Sequence, residues 1–513
     1  QSGLSDFDDV SPDAEIVLDF TAALDAATVE ANIYLLDAGG AKVDASDVYD
    51  GAKRVTLKPS AGLNAYASYR LIVDSGLKSA AGEAILTGKV IRIRTGLDTS
   101  DKFPQISDEE LLTKVQQQTF RYFWEGAEPT SGMARERTSS GATVTTGGTG
   151  FGVMAMTVAA ERGFVTRSEA CQRVQRIVTF LAERATSYHG AFSHWIDGQT
   201  GQTLPFSADD NGADLVETGL LFQGLLTARA YFDGADAAES KLRADITALW
   251  EAVEWDFFTK EGTEKVLYWH WSPDKGWAMN MPIQGWNEAL IVYVLAASSP
   301  THPIGREVYA EGWARGGAMR NGKLFYDTVL PLGEDYGGPL FWAQYSFLGL
   351  NPRGLSDAYA DYWEQVCNHT RINYAYCVDN PKGYAGYGAD CWGLTASDIP
   401  DGYTASSPTN DRGVIAPTAA LSSMPYTPDE SMAALRFFYY KLGDKLWSDY
   451  GFIDAFDLTT GWFDRGMHIA IDQGPIVVMI ENYRTGLPWN LFMSDKDVQR
   501  GLAELGFTVE AGS

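Results

Sequence analysis

The sequence after about residue 106 alternates between two kinds of helical segment, and this alternation restricts the fold more than any other feature. One kind carries a charged face, as in SDEELLTKVQQQTFRYFWEG, which is typical of a surface helix. The other kind is apolar on all sides and rich in glycine, which indicates a buried helix. Six buried segments alternating with about six exposed ones predict a mainly α domain with an (α/α)₆ toroid, an inner ring of helices inside an outer ring. The buried segments span 149–163, 214–228, 287–297, 337–350, 411–424 and 472–483.

The first 95 residues have a different pattern. Short stretches such as AEIVLDF and YRLIVDSG alternate between apolar and polar residues and are separated by Gly, Asn and Pro, which predicts a small all-β sandwich. The order of the stretches LDFTAALDAATVEANIYLLDAGG and LKPSAGLNAYASYRLIVDSGLKSAAGEAI resembles a bacterial Ig-like domain. We therefore predict an Ig-like domain at 1–95, a linker at 96–105 and the helical domain at 106–513.

The charge balance excludes several kinds of partner. Forty Lys and Arg against 67 Asp and Glu give a net charge of −27. Such a charge repels phosphate backbones, acidic polysaccharides and anionic membranes, so we expect no nucleic-acid partner. Apolar runs stay shorter than the roughly 18–20 residues that a membrane span needs. The sequence shows no signal peptide, and we expect a mature protein, periplasmic or extracellular, trimmed from a lipid anchor or released freely. We also expect a monomer.

Cysteine and histidine give little sign of a metal or a cofactor. The four cysteines, Cys171, Cys367, Cys377 and Cys391, form no C-x-x-C pair, which leaves buried thiols or one disulfide among the last three. The six histidines form no H-E-x-x-H motif, so we expect neither a catalytic metal nor an organic cofactor. Asp209, Asp210 and Asp214 could hold calcium, although a loop facing a substrate is the favoured interpretation.

Four carboxylates stand where buried segments begin: Asp214, Glu217, Glu288 and Asp472. The inner helices of a toroid run in the same direction, so these groups would meet at one mouth of the barrel. The alternative for D-L-V-E is a capping box, with Asp214 as the N-cap and Glu217 satisfying a backbone donor. Glu288 needs another explanation, because Asn287 already offers a cap. Asp472 precedes Gly-Pro, and we expect it outside its helix, facing a ligand.

The aromatic residues indicate a sugar ligand. The chain has 15 Trp and 25 Tyr, many in polar stretches such as WHWSPDKGW and YAGYGADCWG. Exposed aromatic faces among Asp, Asn, Gln and Arg suit the C–H faces and hydroxyls of pyranose rings; the alternative is that each Trp pins a loop. The candidate sugar-binding residues in these stretches are His194, Trp195, Trp269, Trp271, Trp286, Asp390 and Trp392.

Several longer motifs are similar to a known family. These include HWIDGQTG, DLVETGLLFQGLLTAR, QGWNEALIVYVLAASSPTHPI, YGADCWGLTASD and AIDQGPIVVMIENYRTGLPWNLFM. Over roughly 400 residues they resemble the bacterial glucoamylase-like domain that contains the β-1,2-glucanases of glycoside hydrolase family 144. The resemblance implies an (α/α)₆ barrel that hydrolyses β-1,2-glucan, a neutral polymer, with inversion. Members act within the chain or release sophorose from its end, and the Ig-like domain favours the second mode.

Inverting hydrolysis needs one carboxylic acid to protonate the leaving oxygen and one carboxylate to activate water. We assign Glu288 as the acid and Asp472 as the base. The other candidates would bind sugar hydroxyls; they are Asp210, Asp214, Glu217, Arg135, Glu136 and Arg484. The first three of these could also replace Asp472 as the base. Two alternatives remain open, a hydrolase of another neutral glucan and a non-catalytic glycan-binding protein. A polysaccharide lyase is disfavoured because it needs cations to neutralise a uronate.

Overall fold

A computed structural model describes residues 6–510, so the first five and last three residues of the two predicted domains lie outside the described part. The chain forms two compact units. The first comprises the chain up to Asp101 together with Asp457–Trp462, and the second comprises Lys102–Phe456 and the chain from Phe463 onward. Each unit is described separately below.

The first unit is a β-sandwich. Its two sheets have the strand orders β1-β7-β6-β3 and β2-β5-β4, with β1 parallel to β7 and the other pairs antiparallel. Buried and exposed residues alternate along β5 and β6, so Val55, Leu57, Leu71 and Val73 enter one shared core. The prediction of a small all-β domain is confirmed. The elements are β1 Phe7–Val10, β2 Ile16–Asp19, α1 Ala26–Asn32, β3 Ile33–Leu36, β4 Ala45–Tyr49, β5 Arg54–Pro59, β6 Ser68–Val73 and β7 Lys89–Thr95.

The second unit is mainly α, as predicted. Within the described residues, no helix is long and apolar enough to span a membrane. The α-helices are α2 Asp108–Trp124, α3 Thr146–Glu161, α4 Arg167–Glu183, α5 Leu215–Tyr231, α6 Ala237–Glu251, α7 Leu290–Ser298, α8 Tyr362–Asp379, α9 Pro417–Leu421, α10 Pro428–Arg436, α11 Gly443–Leu446, α12 Ala470–Arg484, α13 Leu487–Met493 and α14 Lys496–Leu505. Short 3-10 helices span Trp255–Thr259, Arg315–Gly317, Leu340–Ala343 and Tyr345–Phe347, and π-helices span Val308–Trp313 and Phe437–Lys441.

Short strands connect these helices. They are β8 Thr143–Thr145, β9 Ser187–Tyr188, β10 Ala191–Phe192, β11 Trp195–Asp197, β12 Thr203–Leu204, β13 Ala213–Asp214, β14 His270–Trp271, β15 Arg320–Phe325, β16 Thr328–Leu332, β17 Leu355–Ser356, β18 Ala396–Ile399, β19 Gly402–Ala405, β20 Trp447–Ser448, β21 Gly451–Phe452, β22 Phe456–Asp457, β23 Trp462–Phe463 and β24 Thr508–Val509. Two pairs of these strands lie next to the cavity described below. Strand β11 pairs with β8, which leads directly into α3, and β13 pairs with β14 ahead of α5.

The two kinds of helix differ in burial as their sequences predict. Helices α2 and α4 are half buried, and each begins with a capping box, Ser107 with Glu110 and Thr166 with Glu169. Helices α3, α5 and α7 are buried along nearly their whole length. Glycine allows α3 and α5 to lie against each other. A Cβ atom at Gly224 would lie well inside van der Waals contact with the backbone of Gly150.

Two predicted buried helices are shorter than expected. The segment 337–350 forms only the 3-10 turns Leu340–Ala343 and Tyr345–Phe347. Gly337 and Gly338, with left-handed φ angles of 94° and 87°, delay the start to Leu340, and Gln344, with φ −114°, separates the two turns. The segment 411–424 is α-helical over α9, which begins at Pro417, where the missing N–H is tolerated. Within residues 6–510 all four cysteine thiols are free and buried, so the disulfide alternative is wrong.

Candidate active site

A cavity of about 380 Å³ opens at the N-terminal ends of α3, α5 and α12. Its volume lies in the range of small-molecule sites. Carboxyl groups and aromatic rings form most of its wall. The lining residues are Glu136, Arg137, Thr145, His194, Trp195, Phe206, Val216, Glu217, Leu220, Trp269, Glu288, Phe341, Tyr345, Ala396, Tyr403, Ala405, Ile469 and Ile471.

The start of α5 supplies two carboxylates with different partners. Asp214 is the N-cap, and its Oδ1 accepts a hydrogen bond from the Glu217 N–H at 2.9 Å. Glu217 does not complete the predicted capping box. Its Oε2 instead accepts from the backbone N–H of Gly147 (2.6 Å) and from Thr145 Oγ1 (3.3 Å) at the start of α3. Glu217 therefore joins two buried helices while its side chain faces the cavity.

His194 supplies positive charge beside this pair. Its Nδ1 lies 3.2 Å from Asp214 Oδ2, and its Nε2 lies 3.9 Å from Glu217 Oε1. Burial alone would lower the pKa of His194, but Glu217 and Asp214 outweigh it and raise the pKa to about 9. Burial acts to raise the pKa of Asp214, but His194 and His270 outweigh this effect, and the pKa of Asp214 is lowered. Burial and Asp214 raise the pKa of Glu217.

Asp210 lies behind this group rather than in the cavity wall. It is 5% exposed, and its Oδ2 lies 3.5 Å from His270 Nε2. Burial and the Asp214 charge raise the pKa of Asp210. Asp209 does not join Asp210 and Asp214 as the calcium alternative requires, because its side chain is half exposed and pairs with Lys275 at 2.7 Å.

Glu288 lies two residues before α7, not in its first turn as predicted. Asn287 Oδ1 accepts from the Ala289 N–H (2.9 Å), so the expected cap forms on the turn that precedes the helix. Ser346 fixes this turn, because its Oγ donates to the Glu288 carbonyl and accepts from the Ile291 N–H. Removal from water, with the charges of Glu217 and Asp214, raises the pKa of Glu288 to about 7. Glu288 is thus a carboxyl group that keeps its proton near neutral pH.

Asp472 is the third residue of α12, which corrects the prediction that it lies outside the helix. Its side chain is 2% exposed, and its Oδ2 has no hydrogen-bond partner among residues 6–510. Burial and Asp454 raise the pKa of Asp472 well above its ordinary value. Burial also raises the pKa of Asp454 to about 7. The two carboxyl groups therefore titrate as a pair, with the proton mainly on Asp472, and neither is among the residues that line the cavity.

Arg137 holds a second acidic cluster at the cavity wall. Its guanidinium contacts Glu136 Oε2 and Asp398 Oδ2, each at 2.8 Å. Side-chain oxygens of Asp398, Asp454 and Asp464 lie within 4.8 Å of one another. Sequence reasoning chose Arg135 instead, but that side chain donates to the carbonyls of Gly141 and Gly126.

Two groups of side chains could offer ligands to a metal ion. They are His194 with Asp210 and Asp214, and Asp398 with Asp454 and Asp464. In the first group, His270 Nε2 lies 3.5 Å from Asp210 Oδ2, and the second group already lies against the Arg137 guanidinium.

Some predicted sugar-binding side chains do not reach the cavity. Trp286 and Trp392 are 4% and 0% exposed, and their indole N–H groups contact His369 and the Glu430 carbonyl. Trp271 packs between His189 and Phe257 rather than facing the cavity. Asp390 is exposed, and Arg484 lies at the far end of α12, where it contacts Gln116 and Glu109. Among the described residues, none of these five contributes to the cavity wall.

Other wall residues escaped the sequence analysis. Phe206 and Tyr403 are 52% and 46% exposed, and both line the cavity. Phe206 lies 4.8 Å from Trp195 and 4.7 Å from His194, ring centre to ring centre. The sequence analysis also missed Arg137, Phe341 and Tyr345 in the wall, together with Asp398, Asp454 and Asp464, which do not line it. Arg137 lies two residues after Arg135 in the motif SGMARER, so the motif already contained a second arginine that could have been considered.

Carboxyl groups with contrasting pKa values around one aromatic-lined cavity suit the acid and base of a glycoside hydrolase. Comparison with known proteins gives a consistent result. Residues 280–496 match the family model described as "Putative glucoamylase", and residues 5–92 match the bacterial Ig-like domain.

Three relatives support the assignment. A Parabacteroides distasonis protein named exo beta-1,2-glucooligosaccharide sophorohydrolase (non-reducing end) is 48% identical over 421 residues, which are 78% of this chain and 58% of that protein. A Bacteroides uniformis crystal structure named as a "putative glucoamylase" is 58% identical over 79% of this chain and 99% of its own, with a TM-score of 0.78. The Chitinophaga pinensis endo-beta-1,2-glucanase, in complex with sophorotriose and glucose, is 51% identical over 79% and 99%, with a TM-score of 0.77. The chain belongs to the bacterial glucoamylase-like family of these relatives.

Proposed function

We propose that this protein hydrolyses β-1,2-glucan with inversion at the anomeric carbon. The observation that carries the proposal is Glu288, a cavity carboxyl group whose pKa is raised to about 7 beside other carboxylates. The relatives from Parabacteroides distasonis and Chitinophaga pinensis, named for action on β-1,2-linked glucose, support the substrate. The aromatic wall and the lack of a dominant positive charge both suit a neutral sugar.

The domain that carries this function is an (α/α)₆ toroid in our proposal. The buried helices α3, α5, α7, α9 and α12 alternate along the chain with the more exposed α4, α6, α8 and α10. The cavity residues Thr145, Glu217 and Ile471 belong to the first turns of α3, α5 and α12 or immediately precede them. Helices that begin at one cavity run in the same direction, as the inner helices of a toroid do.

Glu288 acts as the general acid. Its pKa of about 7 leaves about half of the Glu288 carboxyl groups protonated in neutral solution, and its side chain lines the cavity. As the glycosidic bond breaks, this proton passes to the departing sugar oxygen. Ser346 holds the turn that carries Glu288, so the carboxyl group stays in position.

Asp472 acts as the general base within its pair with Asp454. The contact between the two raises the pKa of Asp472 and lowers that of Asp454, so the proton of the pair lies mainly on Asp472. Asp472 accepts a proton from water only in the form of the pair in which Asp454 holds the shared proton. Arg137 lies close enough to lower the pKa of both Asp454 and Asp472, which opposes the effect of burial. His194 and Glu217 line the cavity and bind sugar hydroxyls, and the buried Asp214 holds His194 in position.

Product analysis tests the proposal. The protein is incubated with β-1,2-glucan and, in parallel, with α-1,4-, β-1,3- and β-1,4-glucans, and the products are sized over the first minutes. Release of β-1,2-linked products alone supports the substrate; sophorose alone indicates exo action and a ladder indicates endo action. Proton NMR of the first product detects the α-anomer if hydrolysis inverts. Preferential cleavage of another glucan would refute the proposed substrate. A β-anomer as the first product would refute inversion.

The same proposal places the protein in the periplasm or outside the cell, where it would meet a polymer that cannot cross a bilayer. Fractionation of the native host cells, with detection by antibody, tests this location. Recovery in the cytoplasmic fraction would contradict it.

A further inference from the structure

His369 lies in α8, is fully buried and does not line the cavity, yet both of its ring nitrogens have a partner. Its Nδ1 lies 3.3 Å from Trp286 Nε1, and its Nε2 lies 3.0 Å from the Gly338 carbonyl oxygen. An indole N–H can only donate, and a carbonyl oxygen can only accept. The partners therefore require a neutral imidazole with its proton on Nε2, which accepts from Trp286 and donates to Gly338.

The two partners of His369 belong to the two segments that hold Glu288. Trp286 is two residues before Glu288, in the turn that precedes α7. Gly338 leads into the 3-10 turns Leu340–Ala343 and Tyr345–Phe347, and the second turn contains Ser346, whose Oγ donates to the Glu288 carbonyl. His369 thus makes a second connection between the two segments that Ser346 already joins.

The packing around this connection leaves little freedom. The Trp286 ring lies against Phe347, with ring centres 6.0 Å apart. Gly333 and Gly337 both have left-handed φ angles, and a Cβ atom on them would lie 2.8 Å from the Trp286 ring and 2.3 Å from the His369 ring. Glycine at these positions lets the loop lie directly on both rings, so neither ring can shift without moving the loop.

Removal from water keeps the imidazole neutral. Burial lowers the pKa of His369 to about 4, although the hydrogen bond to Gly338 acts in the opposite direction. Nδ1 therefore remains an acceptor over the pH range in which Glu288 titrates, near 7. His369 is a fixed connection and does not exchange protons during the reaction.

We propose that His369 is a positioning residue: by holding Trp286 and Gly338 together, it fixes the turn that carries the general acid Glu288. This inference rests on the proposed function. A misplacement of about 1 Å at a reacting group can lower the rate by about 10²-fold. Loss of the connection should therefore slow proton transfer to the leaving oxygen more than it weakens sugar binding.

The substitution His369→Phe tests this role, because it keeps an aromatic ring and removes both hydrogen bonds. We expect kcat on β-1,2-glucan to fall by about 10-fold or more, with KM changed less than about twofold. On an aryl β-sophoroside, whose leaving group hardly needs protonation, kcat should fall by less than about threefold. A general loss of structure would lower both rates together, so the ratio of the two rates reports on the position of the acid.

Trp286→Phe tests the same connection without changing His369. It removes only the indole N–H and should shift the ratio of the two rates in the same direction, which keeps the inference testable if His369→Phe does not fold. The double variant should be no more impaired than the worse of the two single variants, because both substitutions break one connection.

Asn482→Leu is the matched control. Asn482 is 2% exposed at the end of α12 away from the cavity. Like His369, it accepts one hydrogen bond, from the Trp489 N–H (3.1 Å), and donates one, to the Leu348 carbonyl (2.9 Å). We expect a lower melting temperature and an unchanged ratio of the two rates, because these bonds serve the fold and not the acid.

An unchanged ratio in both His369→Phe and Trp286→Phe would overturn the inference, and so would a shift of the same size in Asn482→Leu. Glu288→Gln, measured on both substrates in parallel, gives the shift expected when the acid itself is lost. Inactivity of the wild-type protein on β-1,2-glucan, or an unchanged ratio in Glu288→Gln, would instead refute the proposed function or its acid, and with it this role. A shifted ratio in Glu288→Gln without one in the other two variants is the failure of the His369 role alone.

Discussion

Glu288 combines a raised pKa with a position in the cavity wall, and removal of its proton should stop the reaction. We expect Glu288→Gln to lower kcat on β-1,2-glucan by about 10²–10⁴-fold, because the leaving oxygen would depart unprotonated. Steady-state rates of reducing-sugar release measure the loss. Circular dichroism should show an unchanged fold, because Gln keeps the shape of the side chain.

An aryl β-sophoroside provides the control for this variant, because its leaving group hardly needs protonation. Glu288→Gln should keep a much larger share of wild-type activity on the aryl substrate than on the glucan. Equal losses on both substrates would argue against a general-acid role.

The raised pKa of Glu288 also predicts the pH dependence of activity. The general acid must be protonated, so kcat/KM should decline as pH rises above about 7. Stability should follow the same group: its folded pKa lies above the unfolded value of 4.5, so the folded state holds the extra proton between these values. Glu288 therefore lowers stability progressively as pH rises from about 4.5 to about 7. Urea unfolding at several pH values should show Glu288→Gln gaining stability over wild type across that window.

Glu217 performs a structural task that a second variant can separate from catalysis. Its Oε2 accepts from the Gly147 N–H at 2.6 Å, so Glu217→Gln replaces a charged acceptor by a weaker one at the start of α3. We expect a lower melting temperature, by an amount that reflects about 1–2 kcal/mol, and a smaller loss of kcat than Glu288→Gln shows. The reverse result, a stable but inactive variant, would make Glu217 the better candidate for the acid.

At the scale of single residues, the sequence predicts carboxylates better than aromatic contacts. Glu288 and Glu217 could be found because a carboxylate beside a buried helix needs a special reason. The sequence could not separate Trp195, in the cavity wall, from Trp286, in the core, because both follow polar loops. The direction of each ring depends on strand pairing and packing that lie far away in the chain. For the same reason the sequence could not show that Arg137, and not Arg135, has its side chain in the cavity wall.

At the scale of elements, the alternation of buried and exposed helices follows directly from apolar content. The burial of helices α3, α5 and α7 could be predicted from their sequences alone, since a helix that is apolar on all sides must be buried. The segment 337–350 differs because its apolar residues are preceded by two left-handed glycines. Burial was predictable there, but helix type and length were not, because the glycines delay the start of the turns to Leu340, and Gln344, with φ −114°, separates the two turns.

The contact between α3 and α5 leads to a prediction about packing. Gly224→Ala places a Cβ against the backbone of Gly150, which cannot move without separating the helices. We expect a destabilisation of about 1–3 kcal/mol or more, seen as a lower denaturant midpoint and a lower melting temperature. Gly219→Ala is the control on the same helix, because its Cβ would meet a side-chain methyl group, Val292 Cγ2, at 2.9 Å. Rotation of that side chain should make Gly219→Ala the milder variant; equal losses would contradict the packing argument.

At the scale of the whole molecule, charge restricts the substrate. The net charge is −27, and the cavity carries several carboxylates against His194 and Arg137. A neutral chain meets little long-range force from such a field, whereas an anionic chain is repelled before contact. The charge that excludes nucleic acids in the sequence analysis thus also excludes acidic polysaccharides at the site.

Salt should therefore separate neutral from anionic substrates. Between about 50 and 500 mM NaCl, kcat/KM on β-1,2-glucan should change by less than about twofold, because no ionic attraction is screened. A carboxymethylated β-1,2-glucan should be cleaved slowly at low salt and gain about fivefold or more at high salt, as screening weakens repulsion. A hydroxyethylated glucan of the same degree of substitution is the control, because it adds similar bulk without charge and should be equally slow at both salt concentrations. Initial rates of reducing-sugar release measure all three. If the carboxymethylated glucan responded to salt no more than the hydroxyethylated one, bulk rather than charge would govern its exclusion, and the electrostatic argument would fail.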